Sequence, residues 1–150
     1  MKSVVLLVYL HLVAVCAADV TDSRLIGTWH SNRELSAATI RPTLKVSPEK
    51  QNHFLSLFGV LTVTYSADSI TAKMPPWGHS PEWKYSTSYH VVKSTHDTVT
   101  FQPHDWPIGK NEPTVVHFVS PDRYWISIET PSITKINTAN WREYFDRIAN

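Results

Sequence analysis

Cysteine is almost missing from this chain of 150 residues; the single one is Cys16. It falls inside "MKSVVLLVYLHLVAVCAA", residues 1–18, where a lysine precedes a continuous apolar run that ends in small residues. That order is the pattern of a secretory signal peptide, with cleavage after Ala17 or Ala18. The run is shorter than the roughly 20 apolar residues a membrane-spanning helix needs. A lipid-attachment cysteine prefers a small residue just before it, and Val15 holds that place. Once the leader is removed no thiol remains, which excludes a disulfide, a thiolate zinc site and a cysteine nucleophile.

An excess of either charge is missing too. Without Lys2 the chain carries 13 basic and 13 acidic residues, and no basic run or stripe occurs. A nucleic-acid partner is therefore not implied. There is no Asn-x-Ser/Thr sequon, no internal repeat and no low-complexity segment. Residues 19–150 are long enough for one domain with a workable core. The expected location is outside the cell, or the periplasm if the source is bacterial.

What is present is a succession of short elements. Residues 26–34 read as a first strand around Trp29. "SPEKQNHFLSLFG" (47–59) reads as a compact helix: Ser47 can cap it, Pro48 suits its first turn, Glu49 its positive end, and Gly59 stops it. Phe54, Leu55, Leu57 and Phe58 supply its apolar stripe. The period then changes to two. "VLTVTY" (60–65) and "ITAKM" (70–74), joined by Ser66–Ser69, give a hairpin signal. A Pro/Gly-rich loop (75–81) leads to a strand at 82–92, a short strand at 97–101, a second loop (102–113) with three prolines, and a pair of strands at 114–119 and 123–128. In the tail, Trp141, Tyr144, Phe145 and Ile148 stand at i, i+3, i+4 and i+7, which favours a terminal helix. Aromatic-rich segments also form strands. The whole predicts a mainly β antiparallel barrel or sandwich.

"IGTWHSNREL" resembles the start of lipocalin-like (calycin-type) proteins, whose Gly-x-Trp is here Gly27-Thr28-Trp29. Ser120–Tyr124 resembles a degenerate form of the lipocalin Thr-Asp-Tyr turn. "TWHSNREL", "LFGVLTVTYSADSITAKM", "DRYWI" and "WREYF" together resemble small secreted lipocalin-like proteins of unassigned function, over most of residues 19–150. The resemblance implies an up-and-down barrel with the Trp29 indole across its closed end and a late arginine stacked on it. Arg142 is the first choice for that arginine and Arg123 the fallback. Two departures are evident: the inter-sheet disulfide of many lipocalins is absent, and a helix stands between the first strand and the hairpin.

Catalytic and metal chemistry find little footing. Seven histidines follow the leader (His30, His53, His79, His90, His96, His104, His117) and none forms a ligand pair at metal spacing. His90 and His117 could meet across strands; isolated strand histidines are the simpler reading. The adjacent pairs His96-Asp97 and His104-Asp105 would point to opposite faces of a strand. No Gly-x-Ser-x-Gly elbow exists, and nothing converges any two of Glu82, Asp97, Glu112 and Glu129. No cofactor is implied.

Aromatics are the richer signal. Tyr65, Trp83, Tyr85, Tyr89, Phe101, Phe118 and Trp125 are strand residues that either fill a core or line a pocket. Trp77 and Trp106 belong to the two Pro-rich loops at the expected barrel mouth. Two functions follow. One is a secreted barrel that binds a small apolar or amphipathic molecule inside, with Tyr hydroxyls fixing its orientation. The other is a barrel filled by its own side chains that meets a protein or polysaccharide through Trp77 and Trp106. The first predicts that Trp83→Ala or Tyr89→Ala weakens ligand affinity more than folding stability, as titration and urea unfolding of the same variant will report.

Overall fold

The computed structural model describes residues 21–106, 112–128 and 140–149. The leader, Cys16, loop residues 107–111 and Glu129 lie outside them. Eight strands close into one antiparallel up-and-down barrel, β1 (Gly27–Asn32), β2 (Thr62–Tyr65), β3 (Ser69–Met74), β4 (Trp83–Ser94), β5 (Thr98–Pro103), β6 (Thr114–Ser120), β7 (Arg123–Ser127) and β8 (Arg142–Arg147). Each strand pairs with the next, and β8 returns to pair with β1, setting Trp29 beside Arg147 and Ser31 beside Phe145.

Alternation builds the barrel. Inward positions carry Trp29, Val63, Tyr65, Ile70, Ala72, Tyr89, Val99, Phe101, Val116, Tyr124 and Phe145, all buried. Outward positions carry Thr, Ser, Lys, His, Arg and Asp side chains on most strands. Polar-out and apolar-in is the inverse of a lipid-facing barrel. No helix among the described residues is long and apolar enough to cross a membrane.

The helical insert is longer than the sequence suggests. β1 stops at Asn32, whose side chain accepts the Leu35 N–H at 3.0 Å and so caps helix α1 (Arg33–Ile40). The residues expected to prolong the first strand thus begin a helix instead. α1 lies against β8: Ser36 Oγ accepts the Tyr144 N–H at 3.0 Å and Thr39 Oγ1 the Arg142 N–H at 3.2 Å, satisfying a strand edge that β1 has left. Helix α2 (Pro48–Leu55) falls inside the expected insert. Ser47 stands at its N-cap without a side-chain cap bond. Of its expected stripe, Leu55 and Phe58 are buried with Ala37, Ile40, Leu44 and Trp141 in a second core outside the barrel, while Leu57 is exposed. Gly59, at φ +78°, lies where a Cβ would come within 2.6 Å of Arg33 Cβ.

The tail is the main correction. Residues 142–147 form β8, not a helix. Helical spacing collected four aromatic and apolar residues, but tertiary context assigns them separately. Trp141 packs under α1 and α2, Phe145 enters the barrel, Tyr144 turns outward and Ile148 is exposed. An open barrel would leave β1 and β7 as unpaired edges, and pairing both outweighs a marginal local helix.

One end of the barrel is sealed. Tight turns at 66–68, 95–97 and 121–122 gather there, and residues 21–26 cross it. The Trp29 indole N–H donates to Leu25 O at 2.8 Å, and both residues are fully buried. Arg24 donates to the carbonyls of Thr95 and His96 and pairs with Asp22. The Arg24 guanidinium, helped by the Ser94 hydroxyl, holds the Asp22 carboxyl at about 2. The arginine over Trp29 is Arg147, its guanidinium carbon 4.1 Å from the ring centroid. Neither Arg142 nor Arg123 takes that place. Arg142 sits an odd number of residues from Arg147 and so projects from the opposite face, while Arg123 pairs with Asp146. Arg147 also donates to the carbonyls of Ile26, Arg24 and Pro121. Gly27 makes room for it, since a Cβ there would lie 2.7 Å from its Nη1.

Arg147→Ala removes this ring contact and leaves three carbonyls seeking donors, so it is expected to cost about 2–4 kcal/mol. Arg142→Ala, on the outer face, is expected to cost about 1 kcal/mol or less. Urea unfolding of the two variants side by side checks the contrast.

Candidate functional site

The inward side chains are fully buried toward one end of the barrel and half-buried toward the other. Near the sealed end, rings meet edge to face or stacked: Trp29 with Tyr124 at 4.6 Å, Tyr124 with Phe145 at 5.0 Å, and Tyr65, Tyr89 and Phe101 mutually at 5.6–5.8 Å. Three residues expected to line a pocket, Tyr65, Tyr89 and Phe101, are therefore core residues here. Phe118 is half-buried among them and lies under the Arg24 guanidinium.

The opposite end is the mouth. The loops after β3, β5 and β7 open there, together with α1. Trp83 and Tyr85 face inward at the start of β4 and keep part of their surface open. Their rings lie nearly parallel at 6.3 Å, and Trp106 meets Tyr85 edge to face at 5.9 Å. Two bonds hold this corner: Tyr85 donates to Asp105 O at 2.8 Å, and Thr87 Oγ1 accepts the Asp105 N–H at 3.2 Å. Trp106 is thus folded against the barrel core. Trp77 is 36% exposed, in a turn where Trp77 and Ser80 exchange backbone hydrogen bonds, with its ring 5.5 Å from that of His53.

The tyrosine hydroxyls expected to orient a ligand are occupied. Tyr85 bonds Asp105 O and Tyr89 bonds Ser66 O at 2.8 Å, while Tyr65 is buried in the core with Tyr124; burial pushes those last two well up. A carboxyl group, that of Glu143, also faces the interior. It shares the inward face of β8 with Phe145 and stands beside Ile126 of β7. Ser31 Oγ donates to Glu143 Oε1 at 2.7 Å and accepts the Gly59 N–H at 3.0 Å. Burial raises the Glu143 carboxyl, and the Ser31 bond opposes part of that rise. Among the described residues no cation pairs with it. Arg33, two residues after Ser31, is turned to the helices, where its Nε donates to Leu55 O. The sequence reading passed over Glu143 because it took "WREYF" as helix; read as a strand, the alternation 143, 145, 147 points it inward.

Trp125 is not inside. Tyr124 takes the inward position, and Trp125 lies on the outer face, stacked on His117 at 3.8 Å with Arg142 4.1 Å away. "RYW" offered two adjacent aromatics, and only the register set by the 120–122 turn decides between them. Burial, followed by the Arg142 charge, lowers His117. His90 also faces outward, two strands away. Among the described residues no group of three or more His, Cys, Asp or Glu could hold a metal ion. His96 and Asp97 do meet, Nδ1 to Oδ1, because both sit in a turn where strand alternation does not apply. Outside the barrel, Arg33, Glu34, Ala37, Ala38, Arg41, Pro42, Asn52 and Leu55 line an open groove of about 810 Å³ between the helices.

Comparison of the chain with family models, curated proteins and solved structures finds no match. The geometry alone defines the class: a closed, eight-stranded, antiparallel up-and-down barrel, sealed at one end, with an acidic group facing its interior.

A raised carboxyl is a native-state cost above its folded value, because the unfolded chain ionises the same group more easily. Below the ordinary value of 4.5 both states are protonated and the cost vanishes. Glu143→Gln is therefore expected to raise the melting temperature at pH 8 and to lose that advantage as pH falls toward 4. Calorimetry across this range checks the sign.

Proposed function

We propose that this protein is a secreted, lipocalin-like binding protein that holds a small apolar or amphipathic molecule toward the mouth of its barrel. The observation that carries this reading is the contrast between the two ends. At the sealed end, Leu25, Trp29, Tyr124 and Phe145 are essentially without exposed surface. Toward the mouth, Leu61, Trp83, Tyr85, Trp106 and Ile126 turn apolar surface inward and leave part of it uncovered. An inward apolar wall with a few polar groups, here Ser31, Thr87 and Glu143, is the common composition of a small-molecule site. The leader-like segment at 1–18 supports export. The inward fold of Trp106 draws weight from the rival reading, a filled barrel acting through exposed loop tryptophans, because of those two loop tryptophans it leaves Trp77 as the exposed one.

Burial of a ligand against these rings would supply roughly 25 cal/mol per Å² of apolar surface. The test is native mass spectrometry of the protein from its source beside its denatured mass, followed by titration with the neutral apolar dye N-phenyl-1-naphthylamine. The expected results are a bound small molecule, or saturable dye binding that Trp83→Ala weakens about tenfold with an unchanged unfolding midpoint. A bare protein that leaves the dye free in water would overturn the proposal.

A further inference from the structure

We propose that the ligand is an organic cation, a protonated amine on an aromatic or aliphatic body, and that Glu143 is its counter-ion inside the barrel. The inference rests on the ligand-binding reading above and adds the charge of the ligand.

The argument begins with an imbalance. Other partly buried charges in this fold are paired: Asp22 with Arg24, Asp146 with Arg123, and Arg147 with three carbonyls and the Trp29 ring. Glu143 faces inward, is half-buried, and receives one hydrogen bond, from Ser31 to Oε1. A carboxylate partly withdrawn from water with so little compensation favours a cationic partner that replaces the hydration it loses. Oε2 has no hydrogen-bond donor among the described residues.

The surroundings select the sign of that partner. Inward positions around the mouth carry Ser31, Leu61, Trp83, Tyr85, Thr87 and Ile126, and no described Lys, Arg or His among them. The Tyr85 hydroxyl proton is committed to Asp105 O. An anionic ligand would meet Glu143 as a like charge, with no Lys, Arg or His among the described inward residues of the mouth to offset it. A cation would meet a carboxylate partly withdrawn from water, where such a pair is stronger than in bulk solvent. At the same end stand three ring systems, Trp83, Tyr85 and Trp106, whose faces attract ammonium groups. Carboxylate and rings therefore favour the same ligand charge.

The experiment uses three probes of one shape at pH 7.5: 2-phenylethylamine, 2-phenylethanol and phenylacetate, with octylamine and octanol as a longer pair, each titrated calorimetrically into the whole protein. An amine is expected to bind at least tenfold more tightly than its alcohol, with phenylacetate weakest. Glu143→Gln is expected to erase the preference while keeping the fold. Ser31→Ala, which leaves the charge in place, is expected to keep the preference and so separates charge from packing. Equal affinities, a preference for phenylacetate, or an unchanged preference in Glu143→Gln would overturn the inference. If the naphthylamine dye binds and neither amine does, the cation inference falls and the binding barrel stands. If the dye fails as well, both fall.

Discussion

The contact between the Arg147 guanidinium and the Trp29 indole holds the two ends of the barrel sequence together, and most of the fold can be traced outward from it. Trp29 lies on the first strand and Arg147 on the last, in direct register, so their stacking lies on the seam that closes the sheet. The same guanidinium binds the carbonyls of Arg24 and Ile26 before the first strand and of Pro121 in the last hairpin. Three segments distant in the chain thus share one side chain. The Gly27 backbone passes close enough that any Cβ would collide with it. A cation laid on a ring is worth most where water is excluded, and Leu25 and the crossing N-terminal segment exclude it.

Sealing one end lets the other end differ. Around the seal the interior is a lattice of buried rings, and the Tyr89 hydroxyl is spent on a backbone carbonyl. That half is specified by packing. The mouth is held by fewer and longer-range constraints: two bonds to Asp105, helix α1 laid along the free edge of β8, and a second small core beneath the helices. The helical insert takes over the hydrogen bonding of β8 where β1 stops, so the backbone N–H groups of Arg142 and Tyr144 keep their partners. Glu143 sits at this transition, carried inward by the strand that the helix supports.

Hairpins were legible because their information is local. The alternation at 62–65 and 69–74, the turns that join the strands, and the helix begun at Pro48 are each written within a dozen residues. Gly27, Trp29 and the neighbourhood of the 120–122 turn were also legible, since a glycine beside a fully buried ring marks a close approach. Asn32 was overlooked as a cap because the apolar spacing around Trp29 continued the look of a strand beyond it. Trp125 was assigned inward because adjacent aromatics carry no parity of their own; the register of β6 against β7 decides it.

The sequence by itself determined that the chain makes short antiparallel strands with a helix between the first two, and that its aromatics would be central to it. It did so because period, caps and turns act over a few residues. Tertiary structure alone decided that residues 142–147 become the eighth strand, that Arg147 and not Arg142 covers Trp29, and that Glu143 faces the interior. These three outcomes share one cause. Each depends on the last strand meeting the first across more than a hundred residues of chain, and closing that seam satisfies two strand edges at once, a gain that no local pattern records.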